Sequence, residues 1–453
     1  MKVNGKLQNL IFTNRDLLRL IFPLIIELAL ELIVGLIDSV MVSSVGEAAV
    51  SGVSLVDSVM QLLIYIFAAL ASGGAVVAGQ YLGAKKREDA KQSVNELLWL
   101  NMLLAMAIML FALLFSDWIL RHLFGRIEDE VFYHAQRYFF VVAFSIPAIG
   151  IFEAGTAIFR TMSDSKTTMK ISLLMNAMNG VGNAILIYVC SMGTQGAAIA
   201  TLISRWMAAI LITALLLNPK RELCIERTLK HRFDFKKVKS ILAMGVPGGV
   251  ENGIFQLGKI MILGLVTTFG TTAITANAVT QTMASIEMIP GSAIQLAVIT
   301  IISRCVGTGD YEQVKYYNRK LLKISYLAVF IWSMIMVSGL PVILLFYHLS
   351  KGTEELAKTM FLVHTLGAVL LWPLAFDLPA SLRAAGDVRF PMIVSICSMW
   401  IFRFGGAYIL AKMLGFGVIG VWVAMAILDW GFRAGCYIIR WYRGKWKEKG
   451  ISK

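Results

Sequence analysis

A dozen apolar stretches of about 20 residues, separated by short polar breakers, run the length of this chain and constrain it more than any other feature. Each is long enough to cross ~30 Å of hydrocarbon at 1.5 Å per residue. Because lipid offers no partner to a free backbone N–H or C=O, such stretches must be helices, and an all-α polytopic membrane protein follows. The apolar windows place spans near 17–39, 53–78, 94–117, 132–159, 168–190 and 196–217, then 238–264, 277–302, 321–347, 356–382, 390–413 and 418–440. With 58% apolar and 15% charged residues, little chain is left for a water-soluble domain.

A net charge of +14 would suggest a nucleic-acid partner for a soluble chain, but here Lys and Arg punctuate apolar segments and form no surface interleaved with aromatics. Orientation explains them better. When residues at span ends are counted with the adjoining loop, one side collects 32 of the 42 Lys and Arg, the other six, and four lie deep in spans. The positive-inside rule then puts both termini and the basic connector 220–239 in the cytoplasm, for a chain in the cytoplasmic membrane. The polar start, Met1 to Asn9, leads into a long first stretch that carries acids and lacks a small-residue cleavage site, so the first helix is expected to be retained.

The five cysteines lie 34 or more residues apart and offer neither a CxxC pair nor a disulfide framework. The histidines form no HxxxH pair, and no GxxxxGK[ST] phosphate loop occurs, so no cofactor, metal cluster, ATP-driven step or enzyme chemistry is expected.

An internal repeat is more informative. At an offset of 224 residues Pro23 meets Pro247, Glu27 meets Glu251, Gly46 meets Gly270, Gly83 meets Gly307 and Lys91 meets Lys315. At 223, FRTMSDSKTTM from Phe159 meets LRAAGDVRFPM from Leu382, and GAAIATLISRW from Gly196 later meets GVWVAMAILDW from Gly420. Two pseudo-symmetric six-helix bundles are therefore expected: 1–219, the connector 220–239 as hinge, and 240–453. Six being even, both halves start on the same side, and two such bundles rocking about a central cavity are the physical basis of alternating access.

Charges inside hydrocarbon cost ~2.5–3.5 kcal/mol each, so polar residues within spans mark function or pairing. Span one carries Glu27, Glu31 and Asp38, which at 100° per residue share one stripe. Their charge requires a proton, a bound cation, a cationic substrate or salt bridges. Span five adds Asn176, Asn179 and Asn183 along one face, amides able to bridge an acid or ligate sodium through oxygen. In the second half Glu251 shares span seven with Asn252, Gln256 and Lys259, and a mid-span Lys is expected to have an acid partner. Asp377 in span ten and Glu153 in span four occupy nearly equivalent places in the two halves. Glu27, Glu31, Asn176, Gln256 and Asp377 are thus candidates to line a substrate cavity.

Pro23 with Asp38 fifteen residues on, GQYLGA before a basic run, the FRTMSDSKT and LRAAGDVR pair, the asparagines of span five and GVPGGVE from Gly245 together resemble the multidrug and toxic compound extrusion (MATE) transporters over essentially the whole chain. The resemblance implies twelve helices in two lobes forming a V, and export of organic cations in exchange for H⁺ or Na⁺. It implies that Asp38 belongs to a cation site with Asn179 and Asn183, where Na⁺ would bind, and that Glu251 matches an acid of cation or drug coupling. Many members similar to the DinF branch carry Asp where this chain has Asn183, and by helix geometry Glu27 and Glu31 are the acids that could substitute. The reading is a monomeric secondary antiporter in contact with membrane lipids, exporting amphipathic, cationic small molecules. The competing reading, a lipid flippase of the wider superfamily, calls for a basic cavity. The acidic stripe of span one and the scatter of Arg205, Lys259, Arg403 and Arg433 over four helices weigh against it.

Overall fold

The computed structural model describes residues 10–124, 128–226 and 231–450. The polar start 1–9 and connector positions 227–230 lie outside the described residues. Within them the chain is helical with no strand, and twelve spans follow in order. The first half contains Asn14–Ser43, Glu47–Gly83, Arg87–Leu114, the bent pair Asp129–Ala143 with Ile146–Thr161, Ser165–Val189 and Gly193–Leu216. The second contains Phe235–Thr267, Thr271–Glu287 with Ile289–Gly307, Tyr311–Leu345, Lys351–Ala384, Arg389–Met413 and Gly417–Tyr442. The ends differ from the apolar windows by several residues because helices continue into polar turns that favour their termini. Span two, for example, starts six residues early with Glu47 in its first turn, where a carboxylate meets the positive end of the helix dipole.

Proline explains where spans break. Span four bends by 53° between Ala143 and Ile146, just ahead of Pro147, which has no N–H for the helix ladder. Span two runs unbroken for 37 residues, whereas its repeat, span eight, carries Pro290 and interrupts at Met288. Pro23, by contrast, sits inside a continuous helix.

The repeat is also visible in the turns. Gly46 and Gly270 precede spans two and eight at φ 135° and 88°, a backbone region that suits glycine. The repeated acids after spans four and ten are each held by an arginine. Asp164 accepts from Thr167 N at 3.3 Å, capping span five, and from Arg221 Nη1 at 3.1 Å. Asp387 accepts from Arg440 Nε at 2.7 Å.

By packing, the described chain divides into an amino-terminal unit, Leu18–Gly249, and a carboxyl-terminal unit that begins at Val250 and includes the residues up to Leu17. In the amino-terminal unit, span seven starts against span two: Gly73 and Gly245 approach so closely that a Cβ on Gly73 would lie 2.5 Å from Gly245 N. The connector lies along span three. Arg87 Nε donates to Glu222 O at 3.1 Å, Glu226 N to Asn95 Oδ1 at 3.0 Å and Asp234 N to Glu96 Oε1 at 2.9 Å. In the carboxyl-terminal unit, Phe12 N donates to Tyr317 Oη at 2.8 Å, which docks the chain's start on span nine.

Candidate functional site

Spans one, two, four, five and six of the amino-terminal unit enclose a cavity of about 390 Å³. Four carboxylates line it, Glu31, Asp38, Asp57 and Glu153, against one guanidinium, Arg205. Asn176, Asn179, Asn183, Thr201 and Tyr138 are among its uncharged polar groups.

Asp38 is the best-held of the acids. Asn183 Nδ2 donates to its Oδ1 at 2.8 Å. Asn179 satisfies both of its neighbours when its amide nitrogen faces Asp38: the nitrogen then donates at 3.0 and 2.7 Å to the two carboxylate oxygens, and its carbonyl accepts from Thr201 Oγ1 at 3.1 Å. The spacing of four residues along span five is what puts both amides on one side of the helix. Asn183 is 2% exposed, yet among the described residues its Oδ1 has no hydrogen-bond partner. Among the described residues no Lys or Arg nitrogen lies within 4 Å of Asp38. Beside Asp38 the pocket therefore presents a carboxylate without an ion-pair partner, an orphaned amide oxygen and a hydroxyl, a donor set that suits a proton or a small hard cation.

Asp57, on span two, was not singled out in the sequence, although an acid inside an apolar window is the signal that would have found it. Tyr138 Oη donates to its Oδ1 at 3.2 Å. Arg205 is anchored by Ser145, donating from Nη1 to Oγ at 2.9 Å, and lies within Coulombic range of Asp57 and Asp38 without forming an ion pair with either. Glu96, Glu287 and Asp429 were missed for the same reason. Glu96 holds the connector, and Glu287 accepts from Ser333 Oγ at 2.6 Å with His364 Nδ1 at 2.7 Å.

The three acids of span one share a face as the helix angle requires, but the face passes two environments. Glu31 and Asp38 reach the cavity. Glu27 is buried beside the first turns of span five, accepting from Thr168 Oγ1 at 2.9 Å and Ser172 Oγ at 3.3 Å. Asn176 lines the cavity, with Nδ2 unpartnered.

In the carboxyl-terminal unit, Arg383 Nη2 donates to both oxygens of Glu251, at 2.7 and 2.8 Å. Gln256 is half-buried on the same helix. Asp377 is fully buried at the end of the π-helical turn Pro373–Asp377, and among the described residues neither of its oxygens has a hydrogen-bond partner.

Two expectations are overturned here. Lys259 has no acid partner, since no carboxylate lies within 4 Å of its Nζ among the described residues. Nor are the mid-span cations scattered: Lys259, Arg403 and Arg433 come from three helices but converge on the ring of Phe255. Their positions in sequence hid this because only tertiary packing brings spans seven, eleven and twelve together.

The MatE family model matches residues 23–185 and again 247–409, the second match beginning 224 residues after the first. The chain is 26% identical over 447 residues to a probable multidrug resistance protein NorM of Thermotoga maritima, covering 97% of this chain and 94% of that protein. It is 24% identical over 450 residues to the uncharacterized transporter YisQ of Bacillus subtilis, covering 96% of each. In fold it is similar, at a TM-score of 0.89 and 20% identity, to an outward-facing multidrug resistance MATE family transporter of the MOP superfamily, over 96% of each chain.

Proposed function

The chain belongs to the MatE family, and on that premise we propose that it is a secondary antiporter exporting amphipathic, cationic small molecules in exchange for H⁺ or Na⁺. Members of this family are transporters, not enzymes, and the chain is a multi-pass membrane protein of the multidrug efflux class. The arrangement of Asp38 carries the proposal: a carboxylate inside a membrane-spanning bundle, oriented by two amides and left without a basic partner.

An ionised group in that position costs ~2.5–3.5 kcal/mol on insertion scales unless its charge is met. A proton discharges it, and a sodium ion would be met by Asp38, the free Asn183 Oδ1 and Thr201 Oγ1. Either event lowers the cavity's demand for a cationic guest, so coupling ion and substrate oppose each other's binding, a negative coupling that is reciprocal by thermodynamics. The charge change at Asp38 would then bias which arrangement of the two units is favoured, giving exchange. Glu31, Asp57 and Glu153 supply further negative charge to hold the guest, with Arg205 limiting the excess. We place the chain in the cytoplasmic membrane with both termini cytoplasmic, from the bias of Lys and Arg among its loops.

The test is efflux of a cationic dye from proteoliposomes of the full chain under an imposed pH gradient, repeated under a sodium gradient. Efflux driven by one or both gradients supports antiport. Dye flux indifferent to both gradients, or ion current without exchange, would overturn it.

A further inference from the structure

The ring of Phe255 on span seven is surrounded by positive charge. Arg403 Cζ stands 5.0 Å from its centroid, and Lys259 Nζ and Arg433 Cζ each stand 5.3 Å from it. One carboxylate shares the cluster. Asp429 Oδ1 accepts from Arg433 Nε at 2.7 Å and from Ser398 Oγ at 2.5 Å, and its Oδ2 lies 3.6 Å from Arg403 Nη1. The neighbouring Glu251 is already matched by Arg383. Three cations against one anion leave two charges uncompensated within membrane-spanning helices. A ring face offsets only part of the cost of holding a charge there.

A second observation points to a ligand. Arg403 is 8% exposed, and among the described residues its Nε has no hydrogen-bond partner and its Nη2 is given only the thioether of Met425 at 2.9 Å, a weak acceptor. A guanidinium normally takes a planar oxygen acceptor in this situation. Lys259 is exposed, so the cluster is open on that side. The repeat makes the contrast sharper. At the 224-residue offset Glu31 corresponds to Phe255, Gly35 to Lys259 and Arg205 to Asp429, so the carboxyl-terminal copy has lost an acid, gained a cation and reversed a charge.

We propose that Lys259, Arg403 and Phe255 form a site for an anionic oxygen group, the phosphate, sulfate or carboxylate head of an amphipathic molecule. Arg433, tied to Asp429, is the fixed wall of the site, while Arg403 and Lys259 have donors to give. The half-buried ring of Phe255, one turn before the exposed Lys259, takes the start of the tail. This goes beyond the antiport reading, because nothing in it depends on which cation drives transport.

The test uses the full chain in phosphatidylcholine nanodiscs, titrated with dodecyl phosphate, with dodecyltrimethylammonium as the control. Saturable binding of dodecyl phosphate is expected, weakened about tenfold by Lys259→Gln and by Arg403→Gln, the loss of one hydrogen bond to a charged group, and unchanged by Asp38→Asn. Lys259 is exposed, so its replacement is expected to leave the fold intact, and the test stands even if the Arg403 variant does not fold. Repeating the titration with phosphatidylglycerol in the discs separates two sources of the same chemistry. A lowered apparent affinity assigns the site to a lipid headgroup, and an unchanged one to a free amphiphile; either supports the site. Absence of saturable binding, or equal affinity in wild type and Lys259→Gln, overturns it and leaves the Asp38 reading untouched.

Discussion

Asn183 donates a 2.8 Å hydrogen bond to Asp38 while its own amide oxygen, buried at the cavity wall, has no partner among the described residues. An amide in this state orients a carboxylate and keeps one acceptor in reserve. Asp38→Asn removes the charge but keeps the shape and the hydrogen-bonding capacity, so it should abolish gradient-driven dye efflux while leaving expression and thermal stability near those of wild type. The measurement is efflux from proteoliposomes beside a melting curve of the same preparation. Efflux at the wild-type rate would remove Asp38 from the mechanism.

Thr201 separates the two candidate ions. Its hydroxyl, which donates to the Asn179 carbonyl at 3.1 Å, would contribute an oxygen to a sodium ligand set but would take no part in protonating Asp38. Thr201→Val should raise the sodium concentration for half-maximal efflux about tenfold if sodium is the driver, and leave a proton-driven rate within about twofold. This follows from the worth of one polar contact to a charge. Sodium and pH titrations of the same variant decide between the ions.

Much of the fold could be read from sequence, because apolar length and loop charge are local properties. The asparagines of span five were legible too, since their spacing fixes their shared face whatever packs against it. Asp57 was legible in principle, as an acid inside an apolar window. The pairing of Glu251 with Arg383 was not, because it joins residues 132 positions apart through tertiary packing. The separate fate of Glu27 also depends on neighbours: helix angle sets direction, but Thr168 and Ser172 decide what lies there.

The Glu251–Arg383 pair should behave as a stability element in a double-mutant cycle. Glu251→Gln strands a guanidinium and Arg383→Gln strands a carboxylate, each costing more than the double variant. Fully buried pairs lose about 3–5 kcal/mol when one partner is removed. Here the side chains are 11% and 25% exposed, and screening lowers the expectation to about 1–3 kcal/mol. Thermal melts of the two singles and the double measure it. Additive losses would mean that the two groups do not depend on each other, and the pair would then be free to take part in transport.

Gly73 tests the close approach of spans two and seven. A methyl group there would lie 2.5 Å from Gly245 N and 2.7 Å from Gly245 Cα, both backbone atoms that cannot rotate away. Overpacking of this kind costs about 1–3 kcal/mol, so Gly73→Ala should lower the melting temperature by several degrees or reduce the folded yield. Gly264→Ala is the control. It lies in span seven with nothing within 4 Å of the added methyl, and alanine is the better helix former by roughly 0.5–1 kcal/mol, so that variant should be neutral or slightly stabilised. Equal melting temperatures for the two variants would mean that spans two and seven do not meet backbone to backbone at Gly73 and Gly245.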